Sequence, residues 1–227
     1  MTFLFEERLS DSSLVQAIWR AQSEQAGSFF SLAASHWEMV VTSYEGETTF
    51  TVRGPETKAS LLHYQRRGVE WVGIRFKVGA FLPSLPPGKL LDRQDVNLPQ
   101  ATRTSFWFAG SAWEVPTFDN ADTFVEWLAR DGLLVHDPVV EAALQGHPHA
   151  LSPRSLQYRF VHATGLTYKT IQQIERARHA QALLEQGGAV LDTVHRAGYY
   201  DQSHLTNSLK RFLGQTPAQI TRVRPTE

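Results

Sequence analysis

A polar helical edge near the C-terminus carries residue types that form hydrogen bonds to DNA. After Asp201, the apolar residues Leu205, Leu209 and Phe212 recur at helical spacing and predict one buried stripe. Amide, hydroxyl and cationic side chains fill the exposed edge, namely Gln202, Ser203, Thr206, Asn207 and Lys210. Such side chains on a helix in the major groove bind base edges and phosphates, so the edge is a candidate for reading DNA.

The ends of this helix are marked by residues that stop or cap helices. Asp201 is a good N-cap, and Gly198 just before it tolerates the left-handed backbone that ends a preceding helix. Gly214 is placed to end the helix, and Pro217 marks the start of another. The pattern therefore predicts a turn, a helix and a second turn.

The same pattern occurs twice in the chain. A shift of 49 positions lays Ser152–Ile171 over Asp201–Ile220. The shift matches apolar, glycine and threonine positions, pairing Leu156 with Leu205, Phe160 with Leu209, Gly165 with Gly214, Thr167 with Thr216 and Ile171 with Ile220. Two copies of one supersecondary unit predict a duplicated helix-turn-helix.

A long helix is predicted between the two copies. Residues 168–186 contain no proline or glycine, and their apolar residues follow the helical period. At about 1.5 Å per residue this segment spans roughly 28 Å. We expect such a rod to hold two reading helices in successive major grooves, which lie roughly 34 Å apart.

The segments SPRSLQYRF, GLTYKTIQQIERARHAQALL and GYYDQSHLTNSLKRFLGQTP resemble the DNA-binding domain of AraC/XylS-type transcriptional regulators. The resemblance covers residues 151–223. It implies an all-α domain of two helix-turn-helix units joined by a long helix. It also implies an N-terminal domain that senses a small molecule, dimerises, or does both.

The resemblance assigns candidate DNA-binding residues in both units. In the first unit they are Arg154, Gln157 and Tyr158. In the second unit they are Gln202, Ser203, Thr206 and Asn207, with phosphate contacts expected from Lys210 and Arg211. His204 faces the same edge by helical phase, and it either contacts DNA or packs beside Leu205.

The first unit departs from the family pattern at its leading helix. The residues 49 positions before the apolar face of the second copy are Glu141, Ala142, Gln145 and Pro148, which do not match. Either residues 138–145 form a displaced supporting helix, or the first unit is degenerate. Tyr158 and Asn207 also replace arginines that are common in the family, so the second unit is the preferred candidate for specific reading.

The predicted fold class of the chain is α+β, because a β-rich N-terminal half precedes the all-α domain. Residues 37–43 and 48–53 are rich in β-branched and aromatic residues and predict a hairpin around Tyr44-Glu45-Gly46-Glu47, and residues 60–64 and 69–78 continue the strands. We expect a β-barrel or sandwich, cupin-like as in sensor domains of the family. Residues 13–22 predict a short helix, and helices are expected again from Asp119 and from Asp137-Pro138. The aromatic residues Phe106, Trp107, Phe108, Trp113 and Trp127 predict a core, with a dimer surface or ligand cavity as alternatives.

Three segments follow from these patterns. They are a β-rich sensor over residues 1–115, a helical linker or dimerisation segment over 116–150, and an AraC-type DNA-binding domain over 151–227. The net charge of −1 divides unevenly, since residues 151–227 hold 10 of the 22 Lys and Arg but 5 of the 23 Asp and Glu. The C-terminal segment is therefore basic at +5, and the rest is acidic at −6.

No enzymatic or metal chemistry is expected. The chain has no cysteine, and neither a nucleophile elbow nor a phosphate-binding or dinucleotide motif occurs. His147 and His149 flank Pro148 without a carboxylate at a ligand spacing, so no metal site and no cofactor are predicted.

The sequence thus predicts a sequence-specific transcriptional regulator whose partner is double-stranded DNA. A small-molecule effector, a second copy of the chain and RNA polymerase are further expected partners, with activation as the expected mode. No apolar run approaches the roughly 20 residues that span a bilayer, and the N-terminus lacks the layout of a signal peptide, so a cytoplasmic location without membrane contact is expected. The alternative is a ligand-binding or enzymatic β-barrel protein whose helical tail is an interaction module.

Overall fold

The computed structural model describes residues 3–64, 67–147 and 151–222. These residues divide into two compact units. The first comprises Met1–Gly27, His36–Pro55 and Tyr64–Thr167, and the second comprises Ser28–Ser35, Glu56–His63 and Tyr168–Glu227. The predicted segment boundaries at 115/116 and 150/151 stay predictions.

Strands dominate the N-terminal half. In chain order they are β1 (Phe3–Arg8), β2 (Val15–Ser23), β3 (Gly27–Ser31), β4 (Glu38–Tyr44), β5 (Glu47–Arg53), β6 (Ser60–Tyr64), β7 (Glu70–Phe76), β8 (Ala80–Phe81), β9 (Val96–Leu98), β10 (Gln100–Thr102), β11 (Ser105–Phe108), β12 (Ser111–Glu114) and β13 (Val135–His136). Two short 3-10 turns, Pro87–Lys89 and Leu91–Arg93, lie between β8 and β9.

Helices dominate from residue 121 onward. They are α1 (Ala121–Arg130), α2 (Pro138–Leu144), α3 (Pro153–Thr164), α4 (Tyr168–Glu185), α5 (Val190–Arg196), α6 (Gln202–Leu213) and α7 (Pro217–Arg222). The predicted long helix is confirmed as α4. Within the described residues, no helix has the length and apolar character needed to cross a membrane.

The main sheet of the first unit is antiparallel, with strand order β1-β2-β7-β4-β5-β9. The predicted hairpin is confirmed, because Glu45 and Gly46 take positive φ angles of 48° and 81° between β4 and β5. A positive φ at both central residues matches the twist of paired strands. The α+β fold class is confirmed, but the predicted barrel is wrong for the described residues, because the six strands form an open sheet with β1 and β9 at its edges.

The helix predicted over residues 13–22 is wrong, because this segment forms β2 between β1 and β7. The prediction rested on Leu14, Ala17, Ile18 and Ala21, which recur at helical spacing. The pairing of β2 with β7 shifts register between Val15 and Ala17. Beyond this shift, Ala17 and Ile18 pair with the adjacent residues Arg75 and Ile74, so they lie on opposite faces of the sheet, and both are buried. Tertiary pairing therefore overrode the local pattern.

The core of the first unit lies between the sheet and α1. Fully buried side chains from several strands meet Phe124 and Leu128 of α1. Phe106 stacks on Phe50 with ring centroids 4.0 Å apart, and Phe124 meets both rings edge-on. Of the predicted aromatic cluster, Phe106 and Phe108 are buried and Trp113 packs beside them. Trp107 and Trp127 are exposed instead.

The second unit contains α4 to α7 and two segments from the N-terminal half. Residues 28–35 and 56–63 form a pair of arms, in which β3 pairs with β6. We call these two segments the arm ribbon. The sequence pattern placed residues 60–64 with the main sheet, but β6 pairs with β3 alone in the described residues. Glu56 is buried inside the ribbon and accepts hydrogen bonds from Ser31 and Ser60 at 2.7 and 3.2 Å.

A charged cluster joins three strands of the first unit. The Glu38 carboxylate lies 2.9 Å from Nε of Arg75 and 3.5 Å from Nε2 of His36. Burial alone would raise the pKa of Glu38. The hydrogen bond and charge of His36 and the charges of Arg75 and Arg53 outweigh burial and lower that pKa from 4.5 to about 2.

The Glu38→Gln variant should lose stability at neutral pH. A carboxylate whose pKa is lowered by folding stabilises the fold above its unfolded pKa, and this contribution fades as pH falls toward the folded value. The shift from 4.5 to about 2 corresponds to about 3 kcal/mol. Urea unfolding at neutral pH and at about pH 3 should show that the difference in free energy of unfolding between wild type and Glu38→Gln narrows in acid.

The matched control is Glu47→Gln, which replaces an exposed carboxylate of β5. We expect this control to change the free energy of unfolding by no more than about 0.5 kcal/mol at either pH. A difference in free energy of unfolding between wild type and Glu38→Gln that stays constant with pH would contradict the assigned charge cluster.

Candidate nucleic-acid interface

Helix α6 is capped at both ends as its sequence predicts. The Asp201 carboxylate accepts a hydrogen bond from the backbone N–H of His204 at 2.7 Å. At the other end, Gly214 takes a φ of 69°, and its N–H donates to the carbonyl of Lys210. These caps satisfy backbone groups that a helix leaves without partners. The predicted start and stop of α6 are therefore confirmed.

The apolar stripe of α6 is buried against neighbouring helices. Leu205, Leu209, Phe212 and Leu213 are each 3% exposed or less, and α6 packs against α4 and α5. Burial of a leucine or phenylalanine side chain stabilises a fold by about 1.5–3 kcal/mol. This stripe therefore sets the rotation of α6 about its own axis.

The opposite edge of α6 faces solvent. Most of the predicted DNA-binding residues on it are exposed, namely Gln202, Ser203, His204, Asn207, Lys210 and Arg211, while Thr206 is half-buried. In the part of the chain that the structure describes, the side chains of Gln202, Ser203 and Asn207 have no hydrogen-bond partner. Their amide and hydroxyl groups are thus free to bind a ligand, and their role in DNA binding stays a prediction.

His204 packs against a residue that the sequence patterns did not single out. Its ring meets Tyr199 edge-on, with centroids 5.1 Å apart. The Tyr199 hydroxyl is hydrogen-bonded to Ser208 at 2.9 Å, and Arg176 lies over the ring at 5.4 Å. Burial raises the pKa of Tyr199, against the opposing effects of Ser208 and Arg176.

This cluster ties α4 to the start of α6. Arg176 of α4 also donates to the carbonyl of Gly198 at 3.3 Å, in the turn before α6. The sequence patterns predict no role for Tyr199 or for Arg176. The two successive tyrosines before α6 were the available signal in the sequence for a packed aromatic residue at this turn. In the structure Tyr199 is buried, whereas Tyr200 is 91% exposed.

The arm ribbon holds the C-terminal end of α6. The N–H groups of Ala59 and Ala33 donate to the carbonyls of Arg211 and Phe212, each at 2.8 Å. Arg178 of α4 donates to the carbonyl of Ala33 at 3.0 Å. The last carbonyls of a helix need partners from outside it, and here two segments of the N-terminal half supply them.

The next helix also begins with a cap. Thr216 and Gln219 bond reciprocally, with the Gln219 side chain accepting from the Thr216 N–H at 2.8 Å and the Gln219 N–H donating to the Thr216 hydroxyl at 3.2 Å. This reciprocal pair is a capping box, so the predicted restart after α6 is confirmed.

The first copy of the repeat forms α3 with the same local design. Ser152 accepts from the N–H of Ser155 at 3.2 Å, and Gly165 ends the helix with a φ of 71°. The bounds of α3 and α6 differ by the predicted 49 positions at both ends. The predicted residues Arg154, Gln157 and Tyr158 are exposed on α3.

The helix before α3 is displaced relative to the repeat. Helix α2 lies three residues closer to the N-terminus than the α5 equivalent would, and it packs against α3. Asp137 caps α2 and also binds Arg159 of α3 at 3.0 Å. These contacts favour the interpretation that α2 is a displaced supporting helix over the interpretation that the first unit is degenerate. Pro148 and His149, which interrupt the pattern, lie outside the described residues.

The two helices predicted to read DNA belong to different compact units. Helix α3 is part of the first unit and packs against α2, β8 and the 3-10 turn Pro87–Lys89. Helix α6 is part of the second unit. The predicted spacing of the two helices on a duplex stays a prediction.

Comparison with known proteins places the C-terminal segment in a family. Residues 149–222 match the family model described as a helix-turn-helix domain. The C-terminal segment is an AraC-type helix-turn-helix domain. This AraC-type domain contains both copies of the repeat, from α3 to α7, so the family resemblance seen in the sequence is confirmed.

Two further similarities accompany this match. The chain is 33% identical over 88 residues to the regulatory protein Ada of Salmonella typhimurium, which covers 39% of this chain and 25% of Ada. The chain therefore spans about a quarter of the length of this curated relative. The second similarity is to the crystal structure of an apo ToxT variant from Vibrio cholerae strain SCE256. The match covers 96% of this chain and 100% of the ToxT chain, with a TM-score of 0.44 and 6% sequence identity.

Alanine at Gly214 should destabilise the fold more than alanine at Gly198. Both glycines have a φ of 69°, at which alanine costs about 1 kcal/mol or more. A methyl group at Gly214 would also meet the Phe30 ring of the arm ribbon at 2.7 Å, whereas nothing lies within 4 Å of one at Gly198. We expect an extra loss of about 1 kcal/mol for Gly214→Ala in urea unfolding.

A double-mutant cycle with Phe30→Ala checks the cause. If the ring causes the extra loss, Gly214→Ala should cost less in the Phe30→Ala background. Equal losses in free energy of unfolding for the two glycine variants in the wild-type background would show that the Phe30 ring does not pack closely against Gly214 at the end of α6.

Proposed function

We propose that the chain is a sequence-specific DNA-binding transcriptional regulator. The observation that carries the proposal is the exposed edge of α6, where amide and hydroxyl groups without partners lie on a capped and packed helix. That helix belongs to an AraC-type helix-turn-helix domain. The similarity to Ada, which is named a regulatory protein, supports the same class of function.

In this proposal α6 enters the major groove as the principal reading helix. Gln202 and Asn207 are amides of the kind that bind adenine through two hydrogen bonds, and each good pair discriminates by about 1–3 kcal/mol. Ser203, Thr206 and His204 add shorter contacts along the same edge. Lys210 and Arg211, in the last turn of α6, bind phosphates and make the affinity fall with salt.

Helix α3 acts as a second reading helix through Arg154, Gln157 and Tyr158. A duplex that bridges both helices would offer successive major grooves roughly 34 Å apart. Loss of the α3 contacts should then shorten the stretch of duplex that the bound protein protects from nuclease cleavage, without removing the part that α6 reads.

The N-terminal half regulates this binding through a small-molecule effector or through dimerisation. Support comes from the arm ribbon, because its backbone binds the last carbonyls of α6 within the second unit. A change in the ribbon would therefore act directly on the reading helix. RNA polymerase is the expected further partner of an activator, and DNA as the partner implies a cytoplasmic location.

Gln202→Ala should weaken specific binding more than non-specific binding. The amide reads a base edge in this proposal, so its loss should cost about 1–3 kcal/mol on the preferred duplex and little on a scrambled one. Lys210→Ala should weaken both and lower the salt dependence, because phosphate contacts carry no sequence information. The preferred duplex is obtained by selection from a random pool with the full chain, and affinities are measured by gel shift.

The matched control is Gln172→Ala, which removes an exposed amide from α4. We expect its affinities to equal those of the wild type on both duplexes. Equal losses on both duplexes for Gln202→Ala would refute the reading role of this residue. No affinity for any duplex at low salt would instead favour a ligand-binding protein whose helical tail is an interaction module.

A further inference from the structure

A groove of about 730 Å³ lies within the first compact unit, beside the exposed face of α3. Its walls come from β8, β13, the start of α2 and α3. The residues that matter for its chemistry are Phe81, Asp137, Arg154, Tyr158, Arg159 and His162. A volume of this size suits a small organic molecule.

One wall of the groove is aromatic. His162 meets the Phe81 ring edge-on at 5.1 Å between centroids and stacks on Tyr158 at 5.9 Å, with 22° between the ring planes. Tyr158 is 70% exposed, so much of its ring is open to a ligand. Flat rings pack well against such surfaces, which favours a ligand with an aromatic body.

The two arginines at the groove differ in their partners. Arg159 has its Nη1 3.0 Å from both carboxylate oxygens of Asp137, so its charge is neutralised. Arg154 forms no hydrogen bond or ion pair within the described ranges. A guanidinium without a partner beside an aromatic wall favours an anion, and a carboxylate matches its fork geometry.

We propose that this groove binds a small aromatic carboxylate. The carboxylate pairs with Arg154, and the ring of the ligand packs on Tyr158 and His162. Arg154 and Tyr158 are also the residues predicted to contact DNA from α3. An occupied groove therefore withdraws them from the duplex, a regulatory step that rests on the proposed function.

Direct binding to the full chain tests the groove without DNA. The probes are benzoate, naphthoate and the neutral amide of naphthoate, measured by isothermal titration calorimetry. We expect saturable binding of naphthoate, at least about tenfold weaker binding of the amide, and a similar loss for naphthoate in Arg154→Gln. Tyr158→Ala should also weaken naphthoate binding through the lost ring contact.

The matched control is Arg103→Gln, which removes an exposed arginine of the same unit from the turn between β10 and β11. It should bind naphthoate as the wild type does. Equal affinity of the wild type and Arg154→Gln for naphthoate would overturn the proposal. So would the absence of saturable binding for both carboxylates.

Gel shifts with the selected duplex separate this proposal from the proposed function. Naphthoate should lower the duplex affinity of the wild type but not that of Arg154→Gln. Duplex binding together with no naphthoate binding would overturn the groove and leave the regulator intact. Naphthoate binding that depends on Arg154, with no affinity for any duplex, would support the groove and overturn the regulator.

Discussion

Burial of the α6 stripe against α4 and α5 determines which edge of the helix meets solvent. Each buried side chain of the stripe, such as Leu205 or Leu209, contributes about 1.5–3 kcal/mol. An exposed ion pair contributes at most about 1 kcal/mol, so no surface charge could rotate the helix against this packing. The polar edge from Gln202 to Arg211 is presented because the apolar edge is hidden. Any DNA contact by α6 depends on that one constraint.

The ends of α6 are held by two different parts of the chain. At the start, Arg176 and Tyr199 join the preceding turn to α4, and Asp201 caps the first turn. At the end, the arm ribbon binds the last carbonyls through Ala33 and Ala59. The second unit is therefore not built from C-terminal residues alone. Helix α6 is completed by residues that precede the domain by about 90 to 120 positions.

Short-range features were readable from the sequence. The caps Asp201 and Ser152, the terminating glycines and the 49-residue repeat follow from local chemistry, and each matches the structure. The β4–β5 hairpin was predictable for the same reason, since Glu45-Gly46 suits its turn.

Long-range features were not readable. Residues 13–22 were assigned to a helix because Leu14, Ala17, Ile18 and Ala21 recur at helical spacing, whereas pairing with β1 and β7 makes the segment a strand. The arm ribbon acts through backbone groups of alanines, which leave no signal in the side chains. The groove beside α3 required the packing of α3 on β8 and α2, to which residues distant in sequence contribute.

Site-directed DNA cleavage from α6 measures whether the exposed edge of this helix lies in a groove of the duplex. The chain has no cysteine, so Ser203→Cys offers a single site for a thiol-linked cleavage reagent. We expect cuts confined to a few adjacent base pairs of the selected duplex, and no such focus from a label at Ala182→Cys on the exposed side of α4. Cuts from position 203 that are absent, or spread evenly along bound DNA, would contradict a reading helix in the groove.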